Sequence, residues 1–160
     1  MSPISALCAE EDSVKILAFA IVMILFASPM WAGENLKLNP KLDYTSDSQD
    51  GRLITGDKME AGFIPGTPAY VIMYGEGCFN SKRQARRTVD LYEKYKGRVQ
   101  FVIVDIDRHM SREQKELKEK YYRGYIPHVV VLNATGEALY NSSGEVDSAV
   151  IAGLLDKSLR

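Results

Sequence analysis

Apolar and polar positions fall into blocks along this chain, and the blocks predict alternating strands and helices. Residues 16–27 (ILAFAIVMILFA) are an unbroken apolar run. Residues 33–51 are polar and rich in Asn, Asp, Ser and Lys, which predicts a leader or linker with weak structure. A short strand is expected at 52–55, then a loop punctuated by Gly62, Pro65, Gly66 and Pro68. Residues 69–74 (AYVIMY) have the length and composition of a buried parallel strand. Gly75-Glu76-Gly77 breaks it, and Asn80 or Ser81 can help cap a helix reaching Lys96. Gln84, Thr88, Leu91 and Tyr95 share one face of that helix, and Gly97 ends it.

The second half continues the pattern. Residues 99–106 (VQFVIVDI) form the next buried strand. Ser111 and Gln114 are spaced like a capping box at the start of a charged helix over 111–122. A strand at 128–132, a turn at 133–136 and an antiparallel partner at 138–140 follow. The last helix is expected over 146–159, with Val150, Leu154 and Leu155 inward. Interleaved β and α units require a parallel pair with helices on the faces, and the late hairpin adds antiparallel strands. The fold class is therefore α/β, a central mixed β-sheet flanked by helices.

Composition narrows the function. The chain has 160 residues, a formal net charge of -1, 46% hydrophobic and 26% charged residues, the profile of one globular domain able to bury a core. Such a balance points to neither nucleic acid nor an acidic membrane surface as partner. Two cysteines, Cys8 and Cys78, cannot build a disulfide framework. No Cys/His spacing suits a metal site, and the two histidines, His109 and His128, lie far apart in sequence.

The apolar run follows Lys15 and precedes Ser28, Pro29, Met30, Trp31 and Ala32, as in a secretory signal peptide cut after Ala32. An uncleaved membrane anchor is the alternative. The acidic Glu10, Glu11 and Asp12 are unusual in a signal peptide, and a start at Val14 would remove them. The expected organisation is a signal peptide or anchor at 1–32, a polar leader at 33–51 and a domain at 52–160. The expected location is the periplasmic or extracellular side, with a membrane involved only if the segment stays attached. Cleavage removes Cys8 and leaves one thiol in an oxidising compartment.

Three pieces in order then resemble the thioredoxin family over about the last ninety residues. They are YGEGCFNSK (74–82), VIVDIDRH (102–109) and GYIPHVVVLNATGEALYNSSGEV (124–146). The resemblance implies a thioredoxin fold with a cis peptide bond at Pro127 facing Cys78, and the Ile126 backbone as the place where a peptide pairs. It implies a catalytic set of Cys78, Ser81 and Pro127, with Gly77, Phe79, Ile126 and His128 contacting substrate. The departures are informative. The family's second cysteine falls on Ser81, its tryptophan before the first cysteine on Gly77, its buried aspartate on Ile72 and its helix-kinking proline on Arg86.

Chemistry still follows from a lone Cys78 at a helix start, because unpaired N–H groups and the helix dipole favour a thiolate nucleophile. It can attack a disulfide and hold the partner, but an external thiol must release it. The partners expected are protein thiols or disulfides, with glutathione as a small-molecule candidate, and no cofactor or metal is implied. A redox-inactive binding or assembly module is the alternative. Monothiol glutaredoxins share Cys-x-x-Ser, but Cys-Phe-Asn-Ser lacks their Gly-Phe interior. His128, next to Pro127, is either a base near Cys78 or a filler of the strand edge. Lys82, Arg83, Arg86 and Arg87 read as a solvated helix face or as a docking patch for an acidic partner. Tyr121, Tyr122 and Tyr125 are expected to pack around the helix-to-strand connection, and His109 to be exposed.

Overall fold

Strand parity organises the core. In the computed structural model, which describes residues 31–48 and 51–160, the central strands β3 (Ala69–Tyr74), β4 (Gln100–Asp105) and β5 (His128–Leu132) are buried along their whole length. β1 (Glu34–Leu38), β2 (Ile54–Asp57) and β6 (Ala138–Ser143) complete the strands among the described residues. The helices are α1 (Phe79–Tyr95), α2 (Arg112–Tyr121) and α3 (Ser148–Ser158).

The main sheet has the order β4-β3-β5-β6, and β1 pairs with β2 in a separate two-stranded sheet. β3 runs parallel to β4, with Ile72 opposite Ile103, and antiparallel to β5, with Ile72 opposite Val129. β6 closes the edge antiparallel to β5, and extends to Ser143, beyond the expected 138–140.

Because side chains alternate across a strand, each face collects every second residue. Tyr70, Ile72, Tyr74, Phe101, Ile103, Val129 and Val131 face one core, shared with Leu91 and Tyr95 of α1 and Ile151 and Leu155 of α3. Val71, Met73, Val102, Val104, Val130 and Leu132 face the other, covered by Leu117 and Tyr121 of α2. Burying one such aliphatic side chain is worth about 1.5–3 kcal/mol.

Helix ends follow the local chemistry. The Ser111 hydroxyl accepts from the Gln114 N–H at 3.2 Å, and Asp147 Oδ1 accepts from the Ala149 N–H at 2.7 Å. Gly97 takes φ +78 just past α1, where a side chain would be strained.

Two expectations are corrected. Within the expected 33–51 leader, the described residues 33–48 are not weakly structured: β1 lies among them, and Leu36 and Tyr44 join the α1-side core. Their polar positions conceal two anchoring side chains, and polarity alone was the reason for reading a linker. In α3 the buried residues are Ile151 and Leu155, one turn apart on the face toward the core, while Val150 is exposed. The apolar run 16–27 and Cys8 lie outside the described residues, so the signal-peptide reading does too. Among the described residues no helix is long and apolar enough to cross a membrane.

Candidate functional site

The end of β3 delivers Cys78 to the start of α1. Gly75 makes this possible: a Cβ there would sit 2.5 Å from Ile126 Cδ1. The Cys78 N–H reaches Gly75 O at 3.4 Å, closing a turn. Cys78 is then the N-cap of α1 in extended conformation, its carbonyl accepting from the Lys82 N–H at 3.0 Å. Its side chain caps nothing, so the thiol is left to other partners. Half-buried, its Sγ lies 4.0 Å from the Ile126 carbonyl oxygen. The Ile126–Pro127 peptide bond is cis. Gly77, Phe79 and Ile126 are half-buried around the thiol's end of the molecule, and Pro127 is buried.

Ser81 is fully buried one turn into α1, its hydroxyl 3.4 Å from the Gly75 N–H, which donates to it. A hydroxyl is no substitute for a thiol in disulfide exchange, so Ser81 can position the turn but cannot resolve a mixed disulfide.

His128 is elsewhere in function. It shares the face of Val130 and Leu132, the α2 side, whereas α1 covers the opposite face. Its ring is fully buried, with Nδ1 2.8 Å from Ser143 Oγ and Nε2 2.7 Å from Asn141 Oδ1. Asn141 Oδ1 can only accept, so Nε2 donates to it. Burial pushes its pKa below 6.5, partly offset by the Asn141 bond. Tyr122 packs edge-on at 5.9 Å. Both nitrogens are thus engaged with β6, which fits a residue filling the strand's edge and leaves neither nitrogen turned to Cys78 as a base. Alternation along residues 128–132 carried the signal, since it puts 128 with 130 and 132.

The basic residues of α1 are engaged by other parts of the protein. Lys82 is fully buried, its Nζ donating to Asp43 O at 2.6 Å, Ser48 O at 2.7 Å and Ser48 Oγ at 3.0 Å. Arg83 and Arg87 both pair with Glu145, the latter at 2.9 Å, and the Arg86 guanidinium lies 5.1 Å over the Tyr44 ring. A solvated face was expected at Lys82, but a segment far back in sequence covers it. Tyr121 and Tyr122 pack as expected, whereas Tyr125 is 74% exposed beside Ile126. His109 is exposed.

Two groups of residues went unread in the sequence. The first is the segment 43–48. Asp43 Oδ1 accepts from the Thr45 N–H at 2.8 Å and Oδ2 from the Ser46 hydroxyl at 2.6 Å, an Asx turn. Hydrogen bonds from Ser46 and Thr45 hold its carboxyl down to about 2. Asp47 Oδ1 then accepts from the Phe79 N–H at 2.7 Å, the first N–H of α1. The Asp-x-Thr-Ser pattern was the available signal for the turn; nothing local marked where it would dock.

The second lies behind the turn. Asp105 and Glu76 are buried, and Arg108 bonds Glu76 and approaches Asp105 Oδ2 at 3.8 Å. The Asp107 carboxylate accepts from the Glu76 N–H at 2.8 Å. Burial first, and then the Glu76 charge, push the Asp105 carboxyl up to about 6, against a lowering hydrogen bond from Asp107. Burial also raises Tyr74, and the nearby Asp105 charge adds to it. Among the described residues no group of His, Cys, Asp or Glu could hold a metal ion.

No family model matches the chain, and no curated protein does. Solved structures similar to it include a malarial protein, at 20% identity and a TM-score of 0.49, covering 59% of this chain and 99% of that one. Thioredoxin-2 of the malaria parasite, described as a component of its protein secretion machinery, is 20% identical with a TM-score of 0.48, covering 57% of this chain and 82% of that one. The germline-specific thioredoxin Deadhead of Drosophila melanogaster is 21% identical with a TM-score of 0.46, covering 57% of this chain and 81% of that one. Likeness at this level carries nothing about chemistry. With its order β4-β3-β5-β6, one parallel and two antiparallel pairings, and helices on both faces, the domain has an α/β thioredoxin-like fold.

Proposed function

We propose that this chain is an exported thiol–disulfide exchange protein that works through Cys78 alone. The observation that carries the reading is a half-buried thiol at the N-cap of α1, with a buried serine one turn on. The Cys78 thiolate attacks one sulfur of a partner disulfide. A new S–S bond forms, the old one breaks, and the departing thiolate takes a proton from solvent. With Ser81 unable to attack, an external thiolate must cleave the mixed disulfide and return Cys78 to the thiol. The cycle suits disulfide isomerisation or removal of a glutathione adduct, and protein disulfides are the proposed substrates. The Ile126 backbone, half-buried beside the thiol, is where the partner chain would lie.

A binding or assembly module is the second reading, favoured by Tyr125, an exposed aromatic side chain next to Ile126. Cys78→Ser separates the two. Under the exchange reading it abolishes capture of disulfide-containing partners; retention of partners by the serine variant, in reductant, would favour the module.

A further inference from the structure

We propose that Asp47 sets the charge selectivity of Cys78, so that its partners are disulfides carrying positive charge near the reacting sulfur. This rests on Cys78 being the nucleophile, the reading given above. Asp47 Oδ1 is 2.7 Å from the Phe79 N–H. Four covalent bonds link that nitrogen to Cys78 Sγ, a span of at most about 5 Å, so the carboxylate oxygen stands within about 8 Å of the sulfur. The position has two consequences. A carboxylate already occupies an N–H that a thiolate would otherwise draw on, and its charge repels both the thiolate and an incoming anion.

One cation of α1 stands near: the Arg83 guanidinium lies 4.8 Å over the Phe79 ring, but it is paired with Glu145. Lys82 is turned into the carbonyls of the 43–48 segment, Arg83 and Arg87 are tied to Glu145, and Arg86 lies over the Tyr44 ring. On the other side of the thiol, the Asp107 carboxylate lies against Gly75, 3.3 Å from where a Cβ would stand. The segment bearing Asp47 is itself fixed, because buried Lys82 holds Asp43 and Ser48. Asp47 is exposed, so it can meet a cation on an approaching partner. Oxidised glutathione, an anion, becomes a poor substrate compared with a cationic peptide disulfide.

Three methanethiosulfonates test this on the full chain: a cationic trimethylammonium ethyl, an anionic sulfonatoethyl and a neutral methyl reagent. In each reaction the Cys78 thiolate bonds to the sulfenyl sulfur, methanesulfinate leaves and the thiol proton goes to solvent. Adducts are counted on the peptide holding Cys78, since Cys8 also carries a thiol. The expected order of rates is cationic, neutral, anionic. Asp47→Asn keeps an acceptor for the Phe79 N–H but removes the charge. It should lower the cation-to-anion rate ratio at least about threefold and raise the neutral rate. Raising the salt concentration should shrink the ratio in the natural chain and leave that of the Asp47→Asn variant nearly unaffected. A measurable Cys78 rate with the same ratio in both proteins overturns the selectivity proposal alone. A Cys78 that reacts with none of the reagents overturns the nucleophile reading, and this proposal with it.

Discussion

Two residues were expected to act beside the cis proline, Cys78 and His128, yet the structure treats them in opposite ways. Cys78, on the α1 side, is half-buried, and its side chain makes no cap; its neighbours are the Ile126 carbonyl and a polar segment from far back in the chain. His128, on the α2 side, is sealed beneath Tyr122, with both nitrogens engaged by β6. One end of the site keeps a reactive atom accessible, while the other spends a reactive residue type on holding an edge strand. Proximity in sequence to Pro127 therefore says little about chemistry. The face on which a residue emerges decides it.

Giving the open side what it lacks should have the largest effect. Ser81→Cys places a second thiol at i+3 from Cys78, within the reach of a disulfide. A mixed disulfide on Cys78 should then resolve from within, and its lifetime without added thiol should fall by about tenfold or more, read by mass spectrometry under acid quench. An unchanged lifetime would show that the buried position 81 cannot reach the sulfur.

Next comes the anchor of the 43–48 segment. Lys82→Met removes the bonds of a buried ammonium to Asp43 O and to Ser48, and leaves those carbonyls without that donor. A loss of about 2–4 kcal/mol is expected from urea unfolding. A loss below about 0.5 kcal/mol would mean that the segment is held by Tyr44 packing instead.

On the sealed side, His128→Leu should cost about 1–2 kcal/mol and change the Cys78 reaction rate less than about twofold. Its pH dependence has a definite sign. The folded ring titrates below 6.5, so as pH falls from that value the unfolded chain takes up a proton that the folded one refuses. Stability drops over that range, and the leucine variant should lose this slope. A large fall in Cys78 reactivity would restore His128 to the site.

The smallest effect is expected at Asp105, whose carboxyl is raised from 3.8 to about 6 in the fold. Between those values the folded state keeps a proton that the unfolded chain has released. This contribution is present below pH 3.8 and is lost as pH rises toward 6. Asp105→Asn should remove it, flattening the stability curve there; an unchanged curve would place the proton elsewhere in the Glu76–Arg108 cluster.

The same contrast explains what could be read from the residues. Runs such as AYVIMY and HVVVL announce central strands, because burial on both faces leaves no polar position. Ser111 with Gln114 announces a helix start, and the bond that matters is local. Cys78 stood out as a lone thiol at a helix start, while Ser81 and Ile126 were singled out as site residues only by the thioredoxin resemblance. The setting of Lys82 was not legible: its partners, Asp43 and Ser48, lie 39 and 34 residues away, and a lysine in a helix reads as solvated until something covers it. Asp47 escaped for the same reason, since docking on Phe79 is a tertiary event across 32 residues. Val150 was placed inward from apolarity alone, but the helix turns Ile151 and Leu155 to the core, with Leu154 packed partly buried beside them.

The most direct measurement is the mass of the full chain over time after addition of one equivalent of a cationic peptide disulfide, with the adduct mapped to its peptide. The expected result is a single adduct on Cys78, half of the peptide disulfide, that persists until an external thiol is added and then disappears. An adduct that vanishes unaided, or a Cys78 that never acquires one while the unfolded chain does, would contradict single-cysteine exchange.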